Sequence, residues 1–227
     1  MATVILVRHG RTTANASGVL AGRAPGVSLD ETGKTQAART ALRLAEVPLA
    51  GIVSSPLERC QQTAQHIIQA QKNAPELLLA PELTECDYGT WQGSALAELS
   101  TQALWSQVQA NPSAVTFPQG ESMAGMQARA VAEIRRLDAG FEAEHGTGAV
   151  WVAVSHGDII KSVLADALGM HLDLFQRINV GPASASIVHY GSGSPRVHSV
   201  NTDGGDLSWL APGLQAADAP VGGGAGN

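Results

Sequence analysis

The chain alternates short, wholly apolar runs with longer amphipathic stretches. Val4-Ile5-Leu6-Val7 is apolar without interruption, which is how a strand buried on both faces reads. Ala37, Ala38, Ala41, Leu42 and Ala45 fall at helical spacing, so a helix is expected over residues 32–46, ended by Pro48. Ala50-Gly51-Ile52-Val53-Ser54 reads as a second strand. Strand, helix, strand is the repeating unit of a parallel sheet, so the class is α/β. Ser55-Pro56-Leu57-Glu58 has the form of a helix start, with Ser55 as N-cap, Pro56 at the first helical position and Glu58 completing a capping box. Thr63, Ala64, Ile67 and Ile68 continue that helix. Leu77-Leu78-Leu79 predicts a short strand, and residues 94–111 one or two irregular helices. Met123, Met126, Ala130, Ile134, Leu137 and Phe141 form one stripe of a long helix, a pattern of core packing. Residues 149–154 predict another buried strand, then a helix from 159 to about 168 stopped by Gly169. Residues 184–190 and 195–201 alternate as two strands, a hairpin across Gly191-Ser192-Gly193.

Two of the buried strands end alike. The first runs into Arg8-His9-Gly10 and the later one into Ser155-His156-Gly157. Arg-His-Gly alone is short enough to recur by chance, but its echo at a second strand end is the strongest internal pattern in the chain. In an open parallel sheet, ligands sit at the carboxyl ends of the strands. Arg59 falls in the first turn of its helix, against the dipole, a placement that points to a use. Arg8, His9, Arg59 and His156 therefore share one face, with Glu85 supplied by a loop over 81–93 rich in carboxylates, glycines and aromatics. Two guanidiniums and a helix N-terminus make a phosphate clamp. A histidine inside it can attack phosphorus, and a nearby carboxyl can protonate the departing oxygen. The arginines and second imidazole already neutralise the transferring charge, so no metal or other cofactor is required.

Composition narrows the choice. With 227 residues, 44% of them hydrophobic, the chain can build one sizeable core. A net charge of -6 and no Lys/Arg block exclude a general nucleic-acid binder. No apolar run approaches the ~20 residues of a membrane span, and residues 1–7 are too short for a secretory leader. Cys60 and Cys86 lack metal or redox spacing and read as reduced thiols, so a cytoplasmic location is expected. Three lysines against eleven arginines suit bidentate phosphate recognition, though genome composition accounts for the same bias.

Leu6-Val7-Arg8-His9-Gly10, Asn15, Leu29-Asp30-Glu31-Thr32-Gly33, Ser54-Ser55-Pro56-Leu57-Glu58-Arg59-Cys60-Gln61-Gln62-Thr63-Ala64, Glu85 with Tyr88-Gly89 and Gln92-Gly93, Gly120-Glu121-Ser122 and Ser155-His156-Gly157 together resemble the histidine phosphatase superfamily. This is the group of phosphoglycerate mutase-like proteins and broad-specificity phosphatases. The resemblance covers roughly residues 3–190 in order. It implies a three-layer α/β/α sandwich with a mostly parallel central sheet. One domain is expected over 1–210, with a lid insertion around 86–128 and a flexible Ala/Gly/Pro-rich tail at 211–227. The resemblance implies His9 as the phosphorylated nucleophile and Glu85 as proton donor. Arg8, Arg59 and His156 would surround the phosphate, with Asn15 and Gly157 nearby. Arg11, Thr12, Gly22 and Tyr88 would line a wider substrate pocket. Arg11 replaces the Glu or Gln common in the family, and either adds charge at the pocket mouth or points to solvent.

The expected activity is metal-independent hydrolysis of a small phosphorylated metabolite; a homo-oligomer is left open. A cofactor-dependent mutase is the nearest alternative. Residues 73–128 carry no Lys or Arg, offering Trp91, Leu96, Trp105 and Phe117 instead, a poor setting for retaining a bisphosphate. A catalytically silent binding protein on the same fold would be favoured by loss of a core site residue, and none is lost. A serine hydrolase lacks its Gly-x-Ser-x-Gly. A metallophosphoesterase lacks partners for His156 and Asp158.

Overall fold

Strand β1 (Thr3–Arg8) lies in the middle of the molecule, with β4 (Val150–Ser155) parallel on one side and β5 (Ala185–His189) antiparallel on the other. The computed structural model describes residues 2–73, 75–191 and 193–204. The tail expected to be flexible, 211–227, lies outside them. With β2 (Gly51–Ser54), β3 (Leu77–Leu79) and β6 (Arg196–Thr202), the strands form one six-stranded sheet in the order β3-β2-β4-β1-β5-β6. The first four are mutually parallel, and β5 and β6 form the expected antiparallel pair.

Alternation along β1 decides the layering, because successive side chains point to opposite faces. Ile5 and Val7 pack with Ala41 and Leu44 of α2 (Glu31–Leu44) and with Cys60, Ala64 and Ile67 of α3 (Glu58–Ala70). Val4 and Leu6 pack on the other side, in a core shared by α6 (Met123–His145) and α7 (Gly157–Ala167). The result is an α/β/α sandwich around a mostly parallel sheet, as expected. Each fully buried Val, Leu or Ile side chain in these layers contributes roughly 1.5–3 kcal/mol.

The helix over 123–145 presents its predicted stripe to the core, with Met123, Met126, Ala130, Ile134 and Phe141 buried. Ser122 caps it, accepting from the Gly125 amide at 3.0 Å. Between β3 and α6 come α4 (Leu96–Leu99) and α5 (Ala103–Ala110). Trp91 and Phe117, expected to line an apolar lid, are buried core residues, in edge contact with each other at 5.3 Å.

Two helix starts differ from expectation. The helix after β2 begins at Glu58, with Leu57 in the cap position and no side-chain cap. Ser55 is not the N-cap, because its hydroxyl lies 2.8 Å from His156 Nε2. The later helix starts at Gly157, two residues earlier than its apolar pattern suggests, with His156 at the cap.

Candidate active site

Arg8 ends β1 and His9 follows it, Arg59 is the second residue of α3, and His156 sits between β4 and α7. Parallel pairing brings Arg8 level with Ser155, so the two His-Gly endings stand side by side. All four side chains are buried, as is Glu85.

His9 Nδ1 lies 2.7 Å from the Gly10 carbonyl oxygen, and Nε2 accepts from Arg59 Nε at 3.3 Å. A carbonyl only accepts, so this geometry assigns the proton to Nδ1 and leaves the Nε2 lone pair available. Burial, then Arg59 and Arg8, hold the imidazole well below its usual pKa. His156 is oriented from the opposite side. Its Nδ1 faces Arg59 Nη2 at 3.2 Å, so the Ser55 contact assigns the proton to Nε2. Burial and the same arginines keep His156 neutral as well. The rings meet edge to face, centroids 5.3 Å apart.

Arg59 also donates from Nη2 to the Gly22 carbonyl at 2.7 Å, and Arg8 from Nη1 to the Val180 carbonyl at 2.8 Å. Burial lowers the Arg8 guanidinium to about 10, which still leaves it charged at neutral pH. Glu85 Oε1 accepts from the Cys86 amide at 2.9 Å, and Oε2 lies 4.0 Å from His156 Nδ1, too far for a hydrogen bond. Burial, helped by the Asp158 charge, raises its carboxyl to about 7 against the pull of the Cys86 amide, Arg59 and Arg8. A carboxyl poised there can give or take a proton at neutral pH.

The loop carrying Glu85 is held from behind. The Glu85 carbonyl accepts from Arg23 Nε at 2.8 Å and Arg129 Nη2 at 3.2 Å. Glu121 joins the two guanidiniums, 2.9 Å from Arg23 and 2.6 Å from Arg129, and accepts from the Asp87 amide at 2.8 Å.

The wider pocket expected from the sequence is partly redistributed. Arg11 pairs with Asp30 at 2.7 Å and donates to Thr32 Oγ1 at 2.8 Å. Thr12 caps α1 (Thr13–Ala16), and the Asn15 carboxamide oxygen accepts from the Thr12 amide and hydroxyl. Gly22 contributes its carbonyl, and its φ of +54 needs a glycine. Tyr88 is buried, with its hydroxyl 2.8 Å from Asp158 Oδ2. Gly157 opens α7, whose N-terminus therefore faces the cluster. Among the described residues no group of three or more His, Cys, Asp or Glu is placed to hold a metal.

Ser55, Glu121, Arg129 and Asp158 are the participants that sequence reasoning did not place. For Ser55 the available signal was its position at the end of a parallel strand neighbouring the one that delivers His156.

Fold and site together define an α/β protein with a buried basic cradle, two neutral imidazoles and one poised carboxyl at the strand carboxyl ends. The sequence pattern of the histidine phosphatase superfamily (branch 1) matches residues 4–203, and the chain belongs to that family. Over 197 residues it is 32% identical to phosphoserine phosphatase 1 of Hydrogenobacter thermophilus, covering 83% of this chain and 87% of that protein. Over 209 residues it is 32% identical to a bifunctional protein of Mycobacterium tuberculosis, covering 88% of this chain and 54% of that protein. It thus spans about half the length of the mycobacterial relatives it matches. The crystal structure of an Entamoeba histolytica phosphoserine phosphatase in complex with 3-phosphoglyceric acid aligns with a TM-score of 0.77 at 26% identity, covering 89% of this chain and 98% of that one.

Proposed function

We propose that the chain is a metal-independent phosphatase that hydrolyses a small phosphomonoester through a phosphohistidine at His9. The observation that carries this reading is the His9 imidazole. Its Nδ1 proton is held by Gly10, so the Nε2 lone pair faces the guanidinium of Arg59. In the first step Nε2 attacks phosphorus, the P–O bond to the leaving group breaks, and Glu85 gives its proton to the departing oxygen. In the second, water attacks the phosphohistidine, Glu85 takes the proton from that water, and inorganic phosphate leaves with His9 restored. Arg8, Arg59, His156 and the N-terminus of α7 stabilise the charge that develops on the phosphoryl oxygens. The phosphoserine phosphatase relatives support hydrolysis of a small phosphorylated metabolite.

A second reading has some support, because a 32% identical relative in Proteus mirabilis is described as a probable phosphoglycerate mutase. A mutase must hold a bisphosphate between half-reactions, which needs cations beyond the cradle. Here Arg11 is committed to Asp30, and Arg23 and Arg129 to Glu121. That arrangement favours hydrolysis.

The test is rapid quenching with a labelled aryl phosphate. The wild type should carry an acid-labile phosphoryl group, and His9→Ala should lose both it and turnover. Activity above about a tenth of wild type in His9→Ala would move the nucleophile elsewhere, since loss of an activated nucleophile costs orders of magnitude.

A further inference from the structure

Beneath the cradle lies a buried polar group that the mechanism above does not use. Asp158 stands in the first turn of α7, two residues after His156. Its Oδ2 accepts from the Tyr88 hydroxyl at 2.8 Å, and its Oδ1 lies 3.5 Å from Lys161 Nζ. Lys161 donates to Gln176 Oε1 at 2.9 Å and sits 5.5 Å from the Phe175 ring centroid. Asp158, Tyr88 and Lys161 are each fully buried. Desolvating a carboxylate and an ammonium is costly, and replacing such a pair with apolar side chains is often neutral or stabilising. Stability alone is therefore a weak reason for the pair.

Its location supplies a better one. Tyr88 is three residues beyond Glu85 on the same loop, so the Tyr88–Asp158 bond ties the loop that carries the carboxyl to the helix start that carries His156. We infer that Asp158, resting on the phosphohistidine reading above, is a positioning residue that sets the proton-donor role of Glu85 through its charge and its bond to Tyr88.

The surroundings of Glu85 show why the charge matters. Cations face it from three directions: Arg8 on β1, Arg59 on α3 and Arg129 on α6. His9 and His156 are neutral, and Cys86 and Tyr88 on its own loop are protonated, their pKa values raised by burial. Cys60, raised to about 12, is likewise neutral. Glu121 is engaged with Arg23 and Arg129 behind the backbone. Lys161, its pKa lowered by burial, pairs with Asp158 at 3.5 Å and adds a weaker positive charge toward Glu85. Asp158 thus supplies the negative charge that acts on Glu85 against these cations. A like charge favours the protonated carboxyl, whereas Arg8 and Arg59 alone would strip its proton at lower pH.

The test is Asp158→Asn, which keeps an acceptor for Tyr88 and removes the charge. Glu85 is followed by 13C NMR of carboxyl-labelled glutamate, with Glu85→Gln assigning the resonance. The midpoint of Glu85 should fall by about one pH unit or more. The basic limb of kcat/KM for an alkyl phosphate should move acidward with it, while an aryl phosphate, whose leaving group needs less help, is less affected. Asp158→Asn/Lys161→Met removes the ion pair whole and should move the midpoint the same way by a smaller amount, because the opposing Lys161 charge goes with it, if the single variant does not fold. A midpoint within a few tenths of wild type in the variant that folds overturns the inference. So does a loss of vanadate binding with an unmoved midpoint, which would assign Asp158 to the cradle. If the wild type hydrolyses no phosphomonoester, the functional reading fails, yet the NMR titration still decides the link between Asp158 and Glu85.

Discussion

The Glu85 carboxyl, raised to about 7 chiefly by burial, and the two imidazoles, lowered by burial, set opposite limits on pH. The acid form of Glu85 is depleted above pH 7, so kcat/KM should fall on that side. His9 stays neutral well below its usual 6.5, so the acid limb should lie lower still. Stability follows the same groups by linkage. Between 4.5 and 7 the unfolded chain gives up the Glu85 proton before the folded one does, so stability falls as pH rises through that window. Below 6.5 the unfolded chain takes up protons that buried His9 and His156 refuse, so stability also falls toward acid. At pH 8 the Glu85 penalty is fully present, while those of His9 and His156 have gone. Glu85→Gln should therefore raise Tm by several degrees at pH 8 and by little at pH 5, measured by calorimetry. An equal shift at both pH values would reject the cause. At this scale the basic cluster was legible because strand ends and helix starts follow from short-range patterns. The partners were not. The capping rule reads Ser55 against its own neighbours, but its hydroxyl is taken by a histidine 101 residues away. Arg11, read as facing the pocket mouth or solvent, is held by Asp30 in the cap of the next helix.

The start of α2 is packed directly against the turn after His9. A Cβ on Gly33 would collide with the Arg11 carbonyl oxygen, and one on Gly10 with the Gly33 carbonyl oxygen. Asp30 caps this helix, accepting from the Gly33 amide at 2.7 Å, while it holds Arg11. The obstructing atoms are backbone, so Gly33→Ala must displace either the helix or the turn. It should cost about 1–3 kcal/mol, as overpacking does, and lower kcat by moving His9 against Arg59. Urea unfolding and steady-state kinetics read both effects, and unchanged kcat with lost stability would show that the turn does not position His9. Elements were legible wherever periodicity was clean, as along β1 and α6. Boundaries were less so, because the chain between Ser55 and Glu58 is shaped by contacts with β4 and α7 and not by its own sequence. Trp91 and Phe117 illustrate the other limit: an apolar residue reads the same whether it roofs a pocket or fills a core.

Across the whole molecule, charge is spent close to home. The arginines that flank the site are paired with Asp30 and Glu121, and the chain as a whole is acidic. A second phosphate on the substrate therefore meets few uncommitted cations, each of which would contribute roughly 1.5–3 kcal/mol. Supplied with 3-phosphoglycerate, the protein should release inorganic phosphate without a bisphosphate primer. Primer-dependent 2-phosphoglycerate outrunning phosphate release would make it a mutase and leave His9 in place. Strand number and the parallel bias could be read from the chain, but sheet order could not. That β4 separates β1 from β2 depends on which apolar faces pack best, a choice spread over the whole core. The same order has a consequence for biogenesis. The strand that delivers His9 is made before the other five, yet both its neighbours, β4 and β5, come from residues 150–189. A growing chain must carry Val4 and Leu6 uncovered, with both edges of β1 open, until α6, β4 and α7 have emerged. Such high contact order slows folding and exposes the nascent chain to aggregation, so during synthesis the central strand is a liability before it becomes an asset.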